Sequence, residues 1–131
     1  MSSVRLFPRG QWLQLGIADR STNALLGDVG ICVAADGEKA EIGFTMDSSA
    51  QGMGLASEAV RAAISLIFDH TTVARIIAIT DARNLPSIRL LERVGMRRIE
   101  TLAATLHGEP CMEYVYAISR RHSEPGDVAT V

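Results

Sequence analysis

The stretch from Ala40 to Thr80 restricts the folds open to this chain more than any other. An alternating run, Ala40-Glu41-Ile42-Gly43-Phe44-Thr45-Met46, leads into the glycine-bearing turn Gln51-Gly52-Met53-Gly54. Leu55 to His70 follows, with Ala56, Ala59, Val60, Ala63, Ile64 and Ile67 at helical spacing. Residues 74–80 are nearly unbroken apolar sequence between polar turns, as expected of a strand buried on both faces. Strand, helix, strand makes a βαβ unit, with a right-handed crossover expected. The glycines let the backbone turn sharply and approach a ligand closely. Amides of the helix's first turn have no partner inside the helix, and the helix dipole favours an anion there. Residues 51–59 therefore suit the pyrophosphate of a nucleotide-containing cofactor. A plain strand-to-helix turn would show the same pattern, because neither a Gly-Lys-Ser/Thr loop nor a full GxGxxG is present.

The sequence before this unit reads as antiparallel. Trp12 to Ala18 places Leu13, Leu15 and Ile17 on one strand face, and Leu25 to Ala34 does the same with Val29, Ile31 and Val33. Gly27 and Gly30 interrupt the second run and suggest a bulge or a close packing contact. Asp36-Gly37 is a hairpin signal into the 40–46 strand. After the unit, Asn84 is a natural N-cap, and Pro86 is tolerated in a first helical turn. Leu85, Ile88, Leu91 and Val94 recur at helical spacing, and Gly95 suits the residue after the helix. Arg97 to Leu106 and Pro110 to Ile118 form a last hairpin across His107-Gly108-Glu109. The expected class is α+β (α/β): an antiparallel meander, a βαβ unit and a C-terminal hairpin in one mixed sheet. The chain of 131 residues is expected to form one domain, with its core at about 12–119 and a frayed tail from 120. Residues 1–10 give little.

Charge and cysteine content narrow the classes. Thirteen basic against fifteen acidic residues leave no basic excess, which argues against broad nucleic-acid or anionic-membrane binding. No apolar run approaches the ~20 residues of a membrane span. The first eight residues hold no apolar signal core, which predicts a cytoplasmic protein. Cys32 and Cys111 lie far apart in strand-like runs and read as buried reduced thiols. His70, His107 and His122 have no ligand spacing, so no metal is expected.

Three motifs together carry more than any of them alone. They are Glu41-Ile42-Gly43-Phe44, then Gln51-x-x-Gly54-x-Ala56 with Ser57-Glu58-Ala59, then Asn84-x-x-Ser87-Ile88-Arg89-Leu90-Leu91-Glu92-Arg93-Val94-Gly95-Met96. Over about Trp12 to Ser119 the chain resembles the GNAT superfamily of acetyl-CoA-dependent N-acetyltransferases. It is most similar to the branch of the ribosomal-protein-alanine N-acetyltransferases. The resemblance implies a GNAT-like sheet in which the 40–46 strand splays from the 74–80 strand. Pantetheine would lie in that gap, between Phe44, Thr45, Met46 and the facing Ile79–Asp81. Gln51, Gly52, Met53, Gly54, Leu55, Ala56 and Ser57 would hold the acetyl-CoA pyrophosphate, chiefly through backbone amides. Asn84 would hydrogen-bond pantetheine, or serve only as an N-cap, or both. Arg89 would reach a CoA phosphate, or stand solvated on its helix.

Departures from the pattern matter as much. Many members carry a tyrosine general acid in the second helix, and Leu91 stands at that position. The resemblance implies Ser87 as the group that protonates or hydrogen-bonds the leaving thiolate, with helix-start capping as its ordinary alternative. Met96 replaces the usual phenylalanine. Members normally begin with a strand and two helices, where this chain has about eleven residues. An uncovered edge or face invites a homodimer or an exchanged segment. The implied reaction is direct acetyl transfer to a primary amine, either a small molecule or a protein N-terminus. An α-amine, titrating near ~8, demands less of a base than a lysine near ~10.4. Glu41 is the base expected, acting through a water, with a surface carboxylate as its ordinary alternative. A backbone N–H near Thr45 or Met46 would stabilise the carbonyl oxygen. Two other classes stay open: a non-catalytic acetyl-CoA-binding or dimerisation module, and a domain for another phosphate ligand.

Overall fold

The computed structural model describes residues 7–46 and 54–120. In chain order they form β1 (Trp12–Ala18), β2 (Leu25–Val33), β3 (Lys39–Met46), α1 (Leu55–His70), β4 (Arg75–Asp81), α2 (Leu85–Arg93), β5 (Arg97–Leu106) and β6 (Glu109–Ser119). The six strands make one sheet in the order β1-β2-β3-β4-β6-β5. β1, β2 and β3 are antiparallel, β3 and β4 are parallel, and β6 pairs antiparallel with both β4 and β5. The mixed α+β sheet expected from the sequence is the one observed.

Register fixes which side chains share a face. Leu15, Val29 and Phe44 lie in line across three strands, as do Leu13, Ile31 and Ile42. Ala40 aligns with Ile76, and Ile76 with Ile118. Val60, Ala63, Ile64 and Ile67 of α1 and Leu91 of α2 join this set in one core. Both helices therefore cover the same face of the sheet. Each fully buried aliphatic side chain there contributes roughly 1.5–3 kcal/mol. The alternate residues point to the helix-free face, where Trp12 is half exposed.

Gly27 and Gly30 act as anticipated. The β1–β2 register slips between Ile17 and Ala18, opposite Gly27 and Leu25. A Cβ on Gly30 would meet the Gln14 amide and the Trp12 ring at 2.9–3.2 Å.

Three expectations need correction, and one unread segment proves to be structured. β4 is buried on one face only: Ile76, Ala78 and Thr80 are covered, while Ile79 is 40% exposed. Both helices pack on the other face, and among the described residues nothing covers the second. Residues 7–10, which offered no pattern to read, are structured: Phe7 is buried in the core and Arg9 bridges Val33 in parallel. The tail does not begin at residue 120. The Arg120 guanidinium donates to the carbonyls of Val73, Phe68 and Thr71 at 2.8–3.0 Å and lies over the Phe68 ring. Cys32 and Cys111 are free thiols but half-buried rather than buried.

Candidate active site

The parallel ladder between β3 and β4 is short. It runs from Lys39 opposite Arg75 to Glu41 opposite Ile77 and stops. β3 stays paired with β2 as far as Met46 opposite Gly27, and β4 stays paired with β6 as far as Asp81 opposite Glu113. Each strand thus keeps one bonded edge and opens the other, leaving a V-shaped gap. Strand alternation decides which groups line it. The Ala34 N–H donates to the Lys39 carbonyl, so odd-numbered residues of β3 address β2 and even-numbered ones address β4. The amides of Phe44 and Met46 therefore face the gap. The Thr45 amide is committed to β2, opposite Asp28. On β4, the Ala82 N–H donates to the Met112 carbonyl, so Ile79 presents its backbone groups to the gap and Asp81 its amide, while the Asp81 carbonyl accepts from the Asn84 N–H at 2.9 Å.

α1 starts beside the β3 arm of this gap. Gly54 is its N-cap with φ 78° and makes no side-chain hydrogen bond. A Cβ there would meet nothing within 4 Å, so the left-handed backbone, not crowding, is what calls for glycine. The first helical bond runs from the Glu58 N–H to the Gly54 carbonyl at 3.1 Å. The amides of Leu55, Ala56 and Ser57 precede it and have no partner within the helix. The Ser57 side chain is buried. Gln51, Gly52 and Met53 lie outside the described residues.

α2 starts beside the β4 arm and starts differently. The Asn84 side-chain oxygen accepts from the Ser87 N–H at 3.2 Å, and Pro86 occupies the first turn. The N-cap role is thus filled, and the Asn84 NH2 group is not needed for it. Ser87 is half-buried and Arg89 is exposed. Leu91, at the position where the resemblance implies a tyrosine in many members, has no exposed surface and points into the core. The helix runs back along β4: Tyr116, level with Ala78, donates its hydroxyl to Glu92. Ser87, in the first turn, therefore sits toward the open end of the gap.

Glu41 sits elsewhere. It is the last β3 residue in the β4 ladder, at the closed end, and its side chain points to the helix-free face with Gly43 and Thr45. Burial pushes its carboxyl above the usual range, and Lys39 offsets this in part. Asp81 lies four residues past Ile77, or ~13 Å along the strand. Glu41 and Ser87 are thus at opposite ends of the gap and on opposite faces of the sheet. The structure does not bring them together.

One pair at the open end has no counterpart in the sequence reading, which named Asp81 only as the end of the strand facing the gap. The Arg83 guanidinium donates to both Asp81 carboxylate oxygens at 2.8–2.9 Å, and the Arg83 amide adds a third bond. These bonds hold the Asp81 carboxyl down at about 2. The i, i+2 spacing of Asp and Arg at a strand end was the available signal. Among the described residues no three or more His, Cys, Asp or Glu side chains are grouped to hold a metal ion. No described helix is long and apolar enough to cross a membrane.

Comparison with known proteins fits this geometry. A family profile for the acetyltransferase (GNAT) domain matches residues 4–97. The uncharacterized N-acetyltransferase YnaD of Bacillus subtilis is 40% identical over 58 residues, which is 44% of this chain and 34% of that protein. The crystal structure of a GNAT-family acetyltransferase from Bacillus anthracis superposes with a TM-score of 0.75 at 30% identity, covering 81% of this chain and 65% of that one. The ribosomal-protein-S5-alanine acetyltransferase of Vibrio fischeri shares the fold at TM-score 0.76 and 19% identity, over 87% of this chain and 64% of that one. The chain spans 34–66% of the length of the curated relatives it matches. With a family match over most of its length and the splayed β3–β4 pair in place, this chain belongs to the GNAT acetyltransferase family.

Proposed function

We propose that the protein is an acetyl-CoA-dependent N-acetyltransferase, built as one domain, that moves the acetyl group directly to a primary amine. The observation that carries this is the β3–β4 gap, with unpaired strand edges inside it and the open start of α1 beside it. The residues present fit acetyl-CoA. Amides of Leu55, Ala56 and Ser57 suit the pyrophosphate, in the positive end of the α1 dipole. Pantetheine carries amides of its own, which the free edges of Phe44, Met46 and Ile79 and the Asp81 amide can pair as a missing strand would. Bound acetyl-CoA supplies the acetyl thioester.

From α1, the gap leads down toward Glu41, so the thioester end of the donor points to the closed end. Glu41 there takes the proton of the attacking amine through a water. Its raised pKa brings it nearer to neutrality, where a general base works best. A gap-facing amide of β3, at Phe44 or Met46, stabilises the carbonyl oxygen as charge builds on it. Binding both reactants in one gap makes the encounter nearly intramolecular. Ser87, Asn84 and Arg89, at the open end, serve as contacts to pantetheine or phosphate, and Ser87 reaches the sulfur only if the donor lies high in the gap. A solved neighbour named as a ribosomal-protein-S5-alanine acetyltransferase supports a protein acceptor, and an α-amine asks less of the base than a lysine does.

The direct test is to mix the purified chain with acetyl-CoA and follow its melting temperature, then CoA release with a panel of amines. A melting temperature that rises by several degrees, with thiol release on adding an amine, is the expected outcome. A folded chain that neither binds acetyl-CoA nor releases CoA overturns the reading.

A further inference from the structure

Gly43 sits in mid-strand without any of the usual reasons for a glycine. Its φ is not in the left-handed region, and a Cβ built on it meets nothing within 4 Å. Its cross-strand partner Gly30 is the contrast, being roofed by the Gln14 amide and the Trp12 ring. Glycine in a strand interior weakens the strand and often marks a place where another group comes close. The open side of Gly43 is the helix-free face, one strand position from the edge that lines the gap.

What surrounds that opening is chemically specific. On β3, Glu41 stands to one side and Thr45 to the other, each two residues away or ~7 Å. The Thr45 hydroxyl donates to Asp28 Oδ1 at 2.9 Å, which fixes that carboxylate across the strand and leaves its second oxygen unused by this bond. Among the described residues no cation pairs with Asp28, whereas Asp81 on the other arm of the gap is paired by Arg83. Gln14 and Trp12 wall the β1 side.

We propose that the open face of Gly43, between Glu41 and the Thr45–Asp28 pair, seats the ammonium group of the acceptor amine. Asp28 draws the cation in, and the seat hands it to Glu41 for deprotonation beside the thioester. Protons and charge balance: the ammonium loses one proton to Glu41, the amine nitrogen forms the C–N bond, the C–S bond breaks with its pair leaving on sulfur, and the second nitrogen proton passes to that thiolate. This rests on the acetyltransferase reading and adds where the acceptor binds and why an amine is preferred.

Amine binding can be tested apart from turnover. The ¹⁵N-labelled chain, alone and with CoA, is titrated in two arms, n-butylamine and a hexapeptide with a free alanine N-terminus. The N-acetylated forms of both serve as controls. Saturable shifts are expected at Glu41, Gly43, Thr45 and Asp28 with at least one free amine and with neither blocked form. The arm that binds distinguishes an alkylamine from a protein N-terminus. Gly43→Val fills the seat without needing a new backbone conformation and should weaken amine binding at least tenfold. Asp28→Asn keeps the acceptor oxygen for Thr45 and should weaken it about fivefold. Both variants should keep acetyl-CoA affinity within twofold. Absent shifts at these residues, or shifts unchanged in Gly43→Val, overturn the seat. So does a Gly43→Val variant that loses acetyl-CoA and keeps the amine. Failure of the wild-type chain to bind acetyl-CoA counts instead against the acetyltransferase reading, and the titration of the chain alone still decides the seat.

Discussion

The two ends of α1 are finished in opposite ways. At its C-terminus, Arg120 donates to three carbonyls around the last turn, and the Thr71 hydroxyl bonds back to Ile67. At its N-terminus, Gly54 offers no side chain, and the first amides are left without helical partners. The start of α2 resembles the closed end rather than the open one, since Asn84 caps it. A chain that closes two of these three termini has the means to close the third. The difference sets Arg120 and the Asn84 oxygen, which close helix ends, apart from the start of α1, which the proposed function reserves for acetyl-CoA.

Removing Arg120 tests the closed end and should have the largest effect on stability. Arg120→Ala strips charge-assisted bonds from carbonyls that α1 and the turn after it cannot satisfy otherwise. A loss of about 3 kcal/mol is expected, or roughly 10 °C in Tm for a chain of this size. Acetyl-CoA affinity of the folded protein should stay within twofold. Thermal melts with and without acetyl-CoA check both halves, and a variant that melts like wild type would remove the contrast.

Gly54→Ala tests the open end. Forcing a Cβ into a left-handed backbone costs about 1–2 kcal/mol, and relief of that strain turns the first amides away. A modest fall in Tm should accompany at least a tenfold rise in the acetyl-CoA Kd, or ~1.4 kcal/mol. Isothermal titration calorimetry reads it. Lower stability with unchanged Kd would mean that Gly54 is only a turn residue.

Asn84 permits a finer cut, because its two side-chain ends have different work. Asn84→Ala loses the cap, at about 1 kcal/mol and roughly 4 °C. Asn84→Asp keeps the capping oxygen and loses the NH2 group. Its Tm should match wild type, while its acetyl-CoA Kd should rise about fivefold if that group bonds pantetheine. Equal affinity in Asn84→Asp would leave Asn84 with capping alone.

Elements whose causes are local could be read from residues. Helical periodicity gave Leu55–His70 without error, and alternation gave Trp12–Ala18. Asn84 could be read as a cap because its partner, the Ser87 amide, is three residues away. Non-local causes left no such trace. Ile79 reads as buried because its neighbours in sequence are apolar, yet it lies on the face opposite the helices, and which face the helices take is set by the whole sheet. Phe7 is a single aromatic in a patternless segment, and Arg120 finds carbonyls about fifty residues back in the chain. The same limit applied to the site. Motifs brought Glu41 and Ser87 into one list, but a parallel crossover put them at opposite ends of the gap. Asp28 was invisible as a candidate because only the β2–β3 register sets it beside Thr45.

The smallest effect on stability belongs to Glu41, and it separates the closed end of the gap from the rest of the sheet surface. Burial raises the Glu41 pKa in the folded state. A carboxyl raised on folding favours the native state below its unfolded pKa, near ~4.3, and that advantage is lost as pH rises through the folded value. At pH 7 the ionised Glu41 is therefore a mild liability to stability. Glu41→Gln should melt slightly higher than wild type at pH 7, and the gain should vanish by pH 4, where both side chains are neutral. A strand-edge carboxylate in open water would show no such crossover. Under the general-base reading the same variant should lose acetyl transfer by about a hundredfold or more, together with the acidic limb of the rate profile. A stability gain without loss of rate would place Glu41 in the strand's architecture and move the base elsewhere on the helix-free face.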